Sequence, residues 1–386
     1  MTKNNPSLND TEITYLNKSI GIVLKAKNKL EKDIEYSTEI PHEIGLQLTN
    51  FCNLRCKTCY EWNEKGFYKH KVKSEIDFEI IEKVIQETEQ VNARLFIWGG
   101  EPLLYSKWDN LIDLLIKHPR ESVICTNGTL IIEKIDSILK LPIKPNFLIG
   151  LDGLEESNNI IRGKGTFNRI MANADELFKL KQIGDLSSAI AFNTVLTKNN
   201  VKEVEELIKF LQDKGADTIF LSFPWYINED LACKFDDYLA NKTLFPYELP
   251  KDKKGSWHSY TFGIDKDDVN AFYDCYENIL KKDWTIRIKL SPDLIREKAL
   301  EFITGNVDAH DFNKKCIGLA NRVEVSADGS IGSCSKFYPE LFIGNLKNSS
   351  LRELWKSDKY QNLRRTVNKG LMPICNYCYV LHHYEK

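Results

Sequence analysis

Short apolar segments recur at intervals through the first part of the chain. They occupy residues 44–49, 93–98, 122–126, 147–152, 189–197 and 218–222. Short and nearly continuous apolar runs between helical segments are typical of parallel strands that are covered on both faces. The pattern therefore predicts six strands of one parallel sheet.

The segments between these runs carry helical spacing. Ser74 and Asp77 resemble the N-terminal cap and the acidic first turn of a helix, and apolar residues then recur on one face, at Phe78, Ile81, Val84 and Ile85. A second helix is predicted from Val201 to Leu211, with Gly215 placed to end it. Six strand–helix units of this kind favour a parallel α/β fold, either an open sheet or a barrel.

Chemically distinctive residues follow the predicted strands. Three cysteines come after the first strand, Gly-Gly-Glu-Pro at 99–102 after the second, Thr-Asn-Gly at 126–128 after the third and Asp-Gly at 152–153 after the fourth. α/β barrels place their active sites at this carboxyl end of the strands. Tight turns built from Gly, Asn and Asp are the alternative. They explain any one of these segments, but not the cysteines.

Cys52, Cys56 and Cys59 form a C-x3-C-x2-C group, one ligand short of a closed site. Iron–sulfur clusters take four thiolates when they are fully bound by protein, so three leave one iron open for chemistry. A structural zinc site is the alternative, but it needs four ligands and no fourth Cys or His lies nearby. A chance group of buried thiols is the other alternative. The spacing favours the cluster.

A second cysteine group lies near the C-terminus, at Cys316, Cys334, Cys375 and Cys378. Residues 323–331 between them predict a hairpin with an Asp-Gly turn, and residues 351–363 predict an amphipathic helix. Four thiolates close a site completely. The spacing alone therefore fits zinc and an iron–sulfur cluster equally well.

The overall composition limits the partners and the compartment. The chain has 386 residues and a net charge of −2, which gives no indication of a nucleic-acid or membrane partner. It lacks the apolar core of a signal peptide and any run of the ~18 apolar residues that a membrane span needs. We therefore expect a cytoplasmic protein. Thiols stay reduced there, so its ten cysteines are predicted to be metal ligands or catalytic groups.

The two motifs over residues 42–222, C-x3-C-x2-C followed by Gly-Gly-Glu-Pro, resemble those of radical S-adenosylmethionine (SAM) enzymes. The C-terminal group resembles the shortened SPASM, or twitch, domain that follows some of these barrels. The resemblance implies an α/β fold: a partial (β/α)6 TIM-like barrel with a small C-terminal α+β domain. The expected organisation is an N-terminal extension at 1–40, the barrel at 41–222, an aromatic-rich insertion and linker at 223–310, and the auxiliary domain at 311–386.

The resemblance also implies the cofactors. A [4Fe–4S] cluster on Cys52, Cys56 and Cys59 would bind SAM at its open iron, and its reduction would cleave SAM to a 5′-deoxyadenosyl radical. A second, auxiliary [4Fe–4S] cluster would be held by the C-terminal four, Cys316, Cys334, Cys375 and Cys378. Full ligation suits this cluster to accepting electrons. An external one-electron reductant of the flavodoxin or ferredoxin type is the further partner that is expected.

Specific contacts to SAM follow from the same resemblance. The methionyl end is expected at Gly99, Gly100 and Glu101, the carboxylate at Arg162, and the ribose or adenine at Asn193. Two positions depart from the family pattern. Gly150 stands where related enzymes have a Ser that contacts SAM, and Thr58 stands where an aromatic residue is common.

Residues 223–262 are rich in aromatic side chains and irregular in spacing, which suggests either a substrate-binding lid or a loop that plugs the barrel. Cys233 and Cys275, in and just beyond this stretch, are hypothetical hydrogen-atom donors to a substrate radical, with an inert buried thiol as the alternative for each. Cys125 lies within a predicted strand and is interpreted as core.

The leading functional hypothesis is oxidative modification of a peptide or protein side chain, as in ribosomal peptide maturases. Two features count against this hypothesis or one form of it. Residues 1–40 are too short for a leader-recognition domain, and Ser335 follows Cys334 where sulfatase maturases carry a carboxylate, which disfavours sulfatase maturation. The alternative is a small-molecule dehydrogenase or epimerase, acting for instance on an aminocyclitol or a sugar. A non-catalytic electron-transfer protein is the third class, and it predicts no 5′-deoxyadenosine from SAM.

Overall fold

One sheet runs through the computed structural model, which describes residues 10–68, 72–241, 254–304, 314–332 and 341–383. Within these ranges the sheet has ten strands, in the order β10-β9-β8-β1-β2-β3-β4-β5-β6-β7. The strands are β1 (Glu43–Gln47), β2 (Arg94–Trp98), β3 (Ser122–Thr126), β4 (Asn146–Gly150), β5 (Ile190–Val195), β6 (Thr218–Ser222), β7 (Arg287–Ser291), β8 (Arg322–Val325), β9 (Ser330–Gly332) and β10 (Phe342–Asn345).

The six predicted strands are β1 to β6, and each pairs in parallel with the next. Their ends differ from the prediction by at most two residues, and β3 and β6 match it at both ends. Helices follow the strands, as a repeated right-handed strand–helix unit requires. The fold is therefore the predicted partial (β/α) barrel.

Fourteen α-helices lie in the described residues, and those between the strands cover the outer face of the sheet. Ile44 and Leu46 of β1, for example, share one buried cluster with Ile81 and Val84 of the first helix after it. The helices are α1 (Asp10–Leu30), α2 (Phe78–Glu87), α3 (Trp108–Lys117), α4 (Ile131–Ile138), α5 (Glu155–Arg162), α6 (Thr166–Gln182), α7 (Val204–Lys214), α8 (Glu229–Asn241), α9 (Lys266–Ile279), α10 (Arg296–Thr304), α11 (Gly318–Asn321), α12 (Leu351–Lys356), α13 (Asp358–Asn368) and α14 (Tyr379–His383).

The end of α7 agrees with the prediction, but the beginning of α2 does not. Gly215 ends α7 in the left-handed conformation, with φ of 98°, as predicted. Ser74 is not the cap of α2, because Asp77 occupies that position without a side-chain hydrogen bond. The Ser74 hydroxyl instead donates to the carbonyl of Ala327, 3.2 Å away, so it ties the barrel to the C-terminal hairpin.

The stretch after β6 contains more regular structure than the sequence pattern indicated. α8 and α9 lie in it, and β7 adds a seventh parallel strand beside β6. β7 was missed because its sequence, Arg-Ile-Lys-Leu-Ser, alternates basic and apolar residues instead of forming an apolar run. That alternation suits a strand at the edge of the sheet.

The C-terminal segment continues the barrel sheet. β8 pairs in parallel with β1, and β9 returns antiparallel to β8 through the predicted turn, where Gly329 has φ of 83°. The expected boundaries at residues 222 and 311 stay a prediction. The helix predicted over 351–363 is two helices, because Ser357 ends α12 and its hydroxyl oxygen accepts from the Tyr360 amide to begin α13.

The N-terminal extension packs on this C-terminal segment. Ala26 and Leu30 of α1 share a small apolar cluster with Ile317 and Ala320 beside α11. Among the described residues, we find no helix with the length and apolar character that crossing a bilayer requires.

Candidate functional site

The inner face of the sheet presents polar and small side chains at the carboxyl ends of the strands. Side chains alternate between the two faces of a strand, so the neighbours of the outward-packed apolar residues point into the barrel. These inward residues are Gln47, Trp98, Cys125, Gly150, Asn193 and Ser222. This end of the barrel interior can therefore accept a polar ligand.

The Gly-Gly-Glu turn after β2 packs directly against the first cysteine loop. The amide of Gly100 donates to the Thr49 carbonyl and the amide of Glu101 to the Phe51 carbonyl, each at 2.8 Å. A Cβ atom on Gly99 or Gly100 would overlap these backbone carbonyls. The two glycines thus let the cysteine loop lie on the turn. Their expected contact with the methionyl end of SAM stays a prediction.

The Glu101 carboxylate is fully buried and is held by the turn after β3. It accepts hydrogen bonds from the Thr126 hydroxyl and the Asn127 amide, both at 2.7 Å, and from the Leu103 amide at 3.1 Å. Burial raises the pKa of Glu101 to about 7, although these hydrogen bonds and Arg162 oppose the shift. Glu101 therefore joins the turns after β2 and β3 beside the cysteine loop, which is a role that the sequence did not indicate.

The three thiols of the first group lie close enough to act on one another electrostatically, with Cys52 buried and Cys56 and Cys59 half-buried. Burial raises the pKa of Cys52 to about 12 and raises the pKa of Cys59, and the Cys56 sulfur adds to both shifts. The Cys52 sulfur accepts from the Leu54 amide at 3.4 Å and from the Asn127 side-chain amide at 3.7 Å. Hydrogen bonds of this kind to the sulfurs of an iron–sulfur cluster help to set its reduction potential.

This arrangement fits an iron–sulfur cluster. The surroundings of these thiols oppose their ionisation, as the raised pKa values show. Metal binding overcomes this, because a coordinating thiol is deprotonated by the metal. Within the described ranges, no three His, Cys, Asp or Glu side chains are grouped as they would be around one metal ion.

Arg162, at the end of α5, is buried beside the cysteine loop. Its Nε lies 2.9 Å from Oδ2 of Asp152, and the Lys57 amide donates to the neighbouring Ile161 carbonyl at 3.0 Å. Burial lowers the pKa of Arg162, but Asp152 and the Cys56 sulfur outweigh this and the net pKa is raised. Arg162 is therefore a fixed cation beside the predicted cluster, which fits a carboxylate ligand.

Gly150 provides the space that this guanidinium occupies. A Cβ atom at Gly150 would lie 2.5 Å from Nη1 and 2.6 Å from Nη2 of Arg162. The absence of the family's Ser at this position is thus matched by the placement of Arg162. Asn193 is in register with Gly150 on the next strand, half-buried, and its Oδ1 accepts from the Ser222 hydroxyl at 2.7 Å.

The second cysteine group is described at three of its four positions, since Cys334 lies outside the described residues. Burial raises the pKa of Cys316 to about 12, and the nearby Cys378 sulfur raises it further. The Met372 amide donates to the Cys375 sulfur at 3.4 Å, and the Cys378 amide to the Cys375 carbonyl at 2.9 Å. These features repeat those of the first group and fit a second cluster.

Asn368 connects this second site to the N-terminal extension. Its Oδ1 accepts from the Cys316 amide at 2.8 Å, and its Nδ2 donates to the Ile34 carbonyl at 2.7 Å. Glu35 and Arg365 form an ion pair beside it at 2.6 Å. The segment before β1 therefore supports the Cys316 loop. The sequence alone indicated no chemistry for this segment.

Two buried glutamates line the barrel near the cysteine loop and were missed from sequence. Glu61 accepts from the Gln47 side-chain amide at 3.3 Å, and burial raises its pKa to about 8. Glu324 lies across Gly45, with Oε1 paired to Arg322 at 2.6 Å. A glutamate inside the apolar strand Arg-Val-Glu-Val was the available signal.

Two atoms of the interior lack a hydrogen-bond partner in the described residues. They are Oε2 of Glu324, an acceptor, and Nε1 of Trp98, a donor, and both are buried. Buried polar groups are normally satisfied by protein, water or ligand. The interior of the barrel is thus prepared for a polar ligand group.

The other cysteines do not lie where the sequence suggested. Cys125 alternates with the core residue Ile124 on β3, so it faces the interior, where burial and then the Glu101 charge raise its pKa to about 12. Cys233 is exposed on α8. Cys275 lies on α9, beside Glu205 of α7 in the outer helix layer. Hydrogen-atom transfer to a substrate in the barrel requires an inward thiol, which Cys275 does not present.

Aromatic rings fill the space between the two cysteine groups. Tyr60 stacks on Trp225 with ring centroids 5.5 Å apart, and Trp225 meets Tyr379 edge to face at 5.0 Å. Tyr260 stacks on Tyr60 at 4.6 Å. Tyr60 follows Cys59 and Tyr379 follows Cys378 in the sequence. The two cysteine groups are therefore joined by one run of aromatic contacts.

Comparison with known proteins agrees with this geometry. A model of the radical SAM superfamily matches residues 46–211, and a model of the SPASM iron–sulfur cluster-binding domain matches residues 316–379. The tungsten-containing aldehyde ferredoxin oxidoreductase cofactor-modifying protein of Pyrococcus furiosus is 22% identical over 364 residues, 86% of each chain. The serine-type anaerobic sulfatase-maturating enzyme of Bacteroides thetaiotaomicron is 23% identical over 344 residues, 85% of this chain and 77% of that protein.

A solved structure shares the fold. Streptococcus suis SuiB bound to its precursor peptide SuiA superposes with a TM-score of 0.61 at 18% identity, covering 97% of this chain and 78% of that one. The two domain matches, the paired cysteine groups and the barrel lead to one conclusion. The chain belongs to the radical SAM superfamily and carries a C-terminal SPASM domain, with SAM and [4Fe–4S] clusters as its cofactors.

Proposed function

We propose that this enzyme oxidatively modifies a side chain of a peptide or protein, with the auxiliary cluster as the electron acceptor. The observation that carries the proposal is the run of aromatic contacts that joins the two cysteine groups through Tyr60, Trp225 and Tyr379. A substrate bound in the barrel beside these rings would lie between a site of hydrogen abstraction and an electron acceptor. The sulfatase-maturating relative and peptide-bound SuiB support a peptide as the substrate.

The residues of this chain have separable tasks in such a reaction. When bound, the SAM-binding cluster supplies the one-electron chemistry that removes a hydrogen atom from an unactivated carbon. Arg162 holds the SAM carboxylate, because its buried guanidinium lies beside the Cys56 sulfur. Asn193, next to it across the sheet, contacts the nucleoside. Their positions are fixed by Asp152 and Ser222 before SAM arrives.

The barrel interior orients the substrate. The unsatisfied Oε2 of Glu324 accepts a hydrogen bond from a polar substrate group, and Nε1 of Trp98 donates one. The buried ring of Tyr260 and the partly buried ring of Tyr60 limit the access of water to the reacting carbon. An external one-electron reductant of the flavodoxin or ferredoxin type starts the cycle.

The test uses purified enzyme with both clusters, SAM and a reductant. Synthetic peptides encoded beside the gene are the substrates, and the products are analysed by mass spectrometry. We expect a product lighter by two hydrogen atoms, formed with 5′-deoxyadenosine. A Cys316→Ala variant is the matched control, in which 5′-deoxyadenosine persists and the oxidised product does not. Unchanged mass and stereochemistry in every peptide would contradict the proposal.

Epimerisation of a small molecule or a peptide residue is the second candidate, and Cys125 favours it. Its thiol faces the barrel interior, so it can return a hydrogen atom to a substrate radical. In heavy water this reaction incorporates deuterium, whereas in ordinary water the product mass is unchanged. Cys125→Ser should abolish the deuterium uptake and Cys275→Ser, in the outer layer, should not. Product without deuterium would exclude this route.

A further inference from the structure

Three aromatic rings form an unbroken contact between the two cluster-binding segments. The Tyr60 and Trp225 rings are nearly parallel, with an interplanar angle of 8° and centroids 5.5 Å apart. The Trp225 ring meets the Tyr379 ring at 89° and 5.0 Å. Both separations lie within the range of direct aromatic contact, so no aliphatic side chain intervenes.

Both ends of this series are linked to cluster ligands. Tyr60 is bonded through the backbone to Cys59, and Tyr379 to Cys378. Each terminal ring therefore belongs to the residue that directly follows a predicted cluster ligand. Trp225 contacts both tyrosines.

We propose that Tyr60, Trp225 and Tyr379 form the electron path between the two cluster sites. One electron leaves the reduced cluster at one end and reduces the oxidised cluster at the other. No bond forms or breaks and no proton moves, because the rings serve only as closely spaced π systems for the transfer. The path rests on the two clusters and not on the substrate, so its failure is distinguishable from failure of the proposed reaction.

A packing role for the same rings is the competing explanation. Tyr260 stacks on Tyr60 at 4.6 Å and on Trp225 at 6.0 Å, and Phe67 contacts Tyr60 at 5.9 Å. Phe67 therefore perturbs the same tyrosine without joining it to Tyr379. It provides a matched control, since a packing role predicts similar effects from Phe67→Leu and Trp225→Leu.

The experiment uses substrate-free holoenzyme with both clusters reconstituted. Less than one equivalent of dithionite is mixed in rapidly, samples are frozen at successive times, and electron paramagnetic resonance follows the electron as it redistributes between the clusters. Cys56→Ala and Cys316→Ala proteins, each lacking one cluster, provide the reference spectra. Iron content and the reduction potential of each cluster are measured for every variant.

In Trp225→Leu, redistribution should slow by about tenfold or more, equivalent to about 1.4 kcal/mol in the barrier, with iron content and potentials unchanged. Trp225→Phe keeps a ring and should slow it less, and Phe67→Leu should match the wild type. If Trp225→Leu loses a cluster, Tyr379→Leu is measured in its place. Wild-type rates in the leucine variants that keep both clusters, or cluster loss in both variants, would overturn the proposal.

Discussion

The guanidinium of Arg162 occupies the space that a side chain at Gly150 would need. A Cβ atom there would lie 2.5 Å from Nη1, closer than any real contact of that kind. Arg162 is also held by Asp152 at 2.9 Å, so it cannot move aside without breaking a buried ion pair. The position of the cation that is expected to bind SAM thus depends on a glycine on the neighbouring strand.

Replacing Gly150 by Ala should weaken SAM binding. The added methyl group displaces Arg162, and we expect the dissociation constant to rise by about tenfold or more, equivalent to about 1.4 kcal/mol. Calorimetric titration of cluster-loaded protein with SAM measures this. Gly21→Ala is the control, because nothing lies within 4 Å of a Cβ atom at this exposed helical position. Equal affinity in the two variants would show that Arg162 does not set SAM binding.

Cys56 should be essential for cleavage of SAM, because it is one of the three predicted ligands of the open cluster and its charge acts on both Cys52 and Cys59. Cys56→Ala is expected to form no 5′-deoxyadenosine when the reduced protein meets SAM, as measured by chromatography. Cys233→Ser, at an exposed position, should retain wild-type cleavage. Persistent cleavage in Cys56→Ala would show that the first cysteine group does not hold the catalytic cluster.

Loss of Cys316 should remove the auxiliary cluster without affecting the SAM-cleaving cluster. Cys316→Ala is expected to lose the iron of the auxiliary cluster while it keeps SAM cleavage, because the first group lies on a different segment of the barrel. Iron analysis and 5′-deoxyadenosine formation are measured on the same preparation. Retention of all the iron would argue that Cys316 is not a ligand.

Asn368 should stabilise the second cysteine site through the N-terminal segment. Asn368→Ala leaves the Cys316 amide and the Ile34 carbonyl without their partner, at an expected cost of about 1–3 kcal/mol in the free energy of unfolding. Urea unfolding of the cluster-free protein measures this, and iron release to a chelator should be faster in the variant. Asn278→Ala, on an exposed surface of α9, should change stability by less than about 0.5 kcal/mol. Equal stability of the two variants would refute the bracing role.

The core of the fold was predictable because its strands are short segments in which apolar residues predominate. β1 to β6 stand out as short apolar runs, whereas β7 does not, because Lys289 and Arg287 alternate with apolar residues at the edge of the sheet. The break at Ser357 was missed for a related reason. The apolar spacing continues across it, and only the hydroxyl cap to Tyr360 shows where a new helix begins.

Within the site, too, the sequence predicted local features of the cysteines but not those that depend on strand pairing. Spacing in the sequence identified the metal-binding groups, because ligands on one short loop are held together by the chain itself. Spacing could not show which way Cys125 faces. A strand residue changes face with a shift of one position, and β3 is set by its pairing with β2 and β4.

The sequence by itself determined the family, the cofactors and the order of the elements, since these depend on local residue types and spacings. Only the tertiary structure decided which distant residues meet: Gly150 beneath Arg162, Asn368 between Ile34 and Cys316, and Trp225 between Tyr60 and Tyr379. These contacts arise from strand pairing and from the docking of the C-terminal segment on the barrel. Both are set by packing over the whole chain, which no local pattern records.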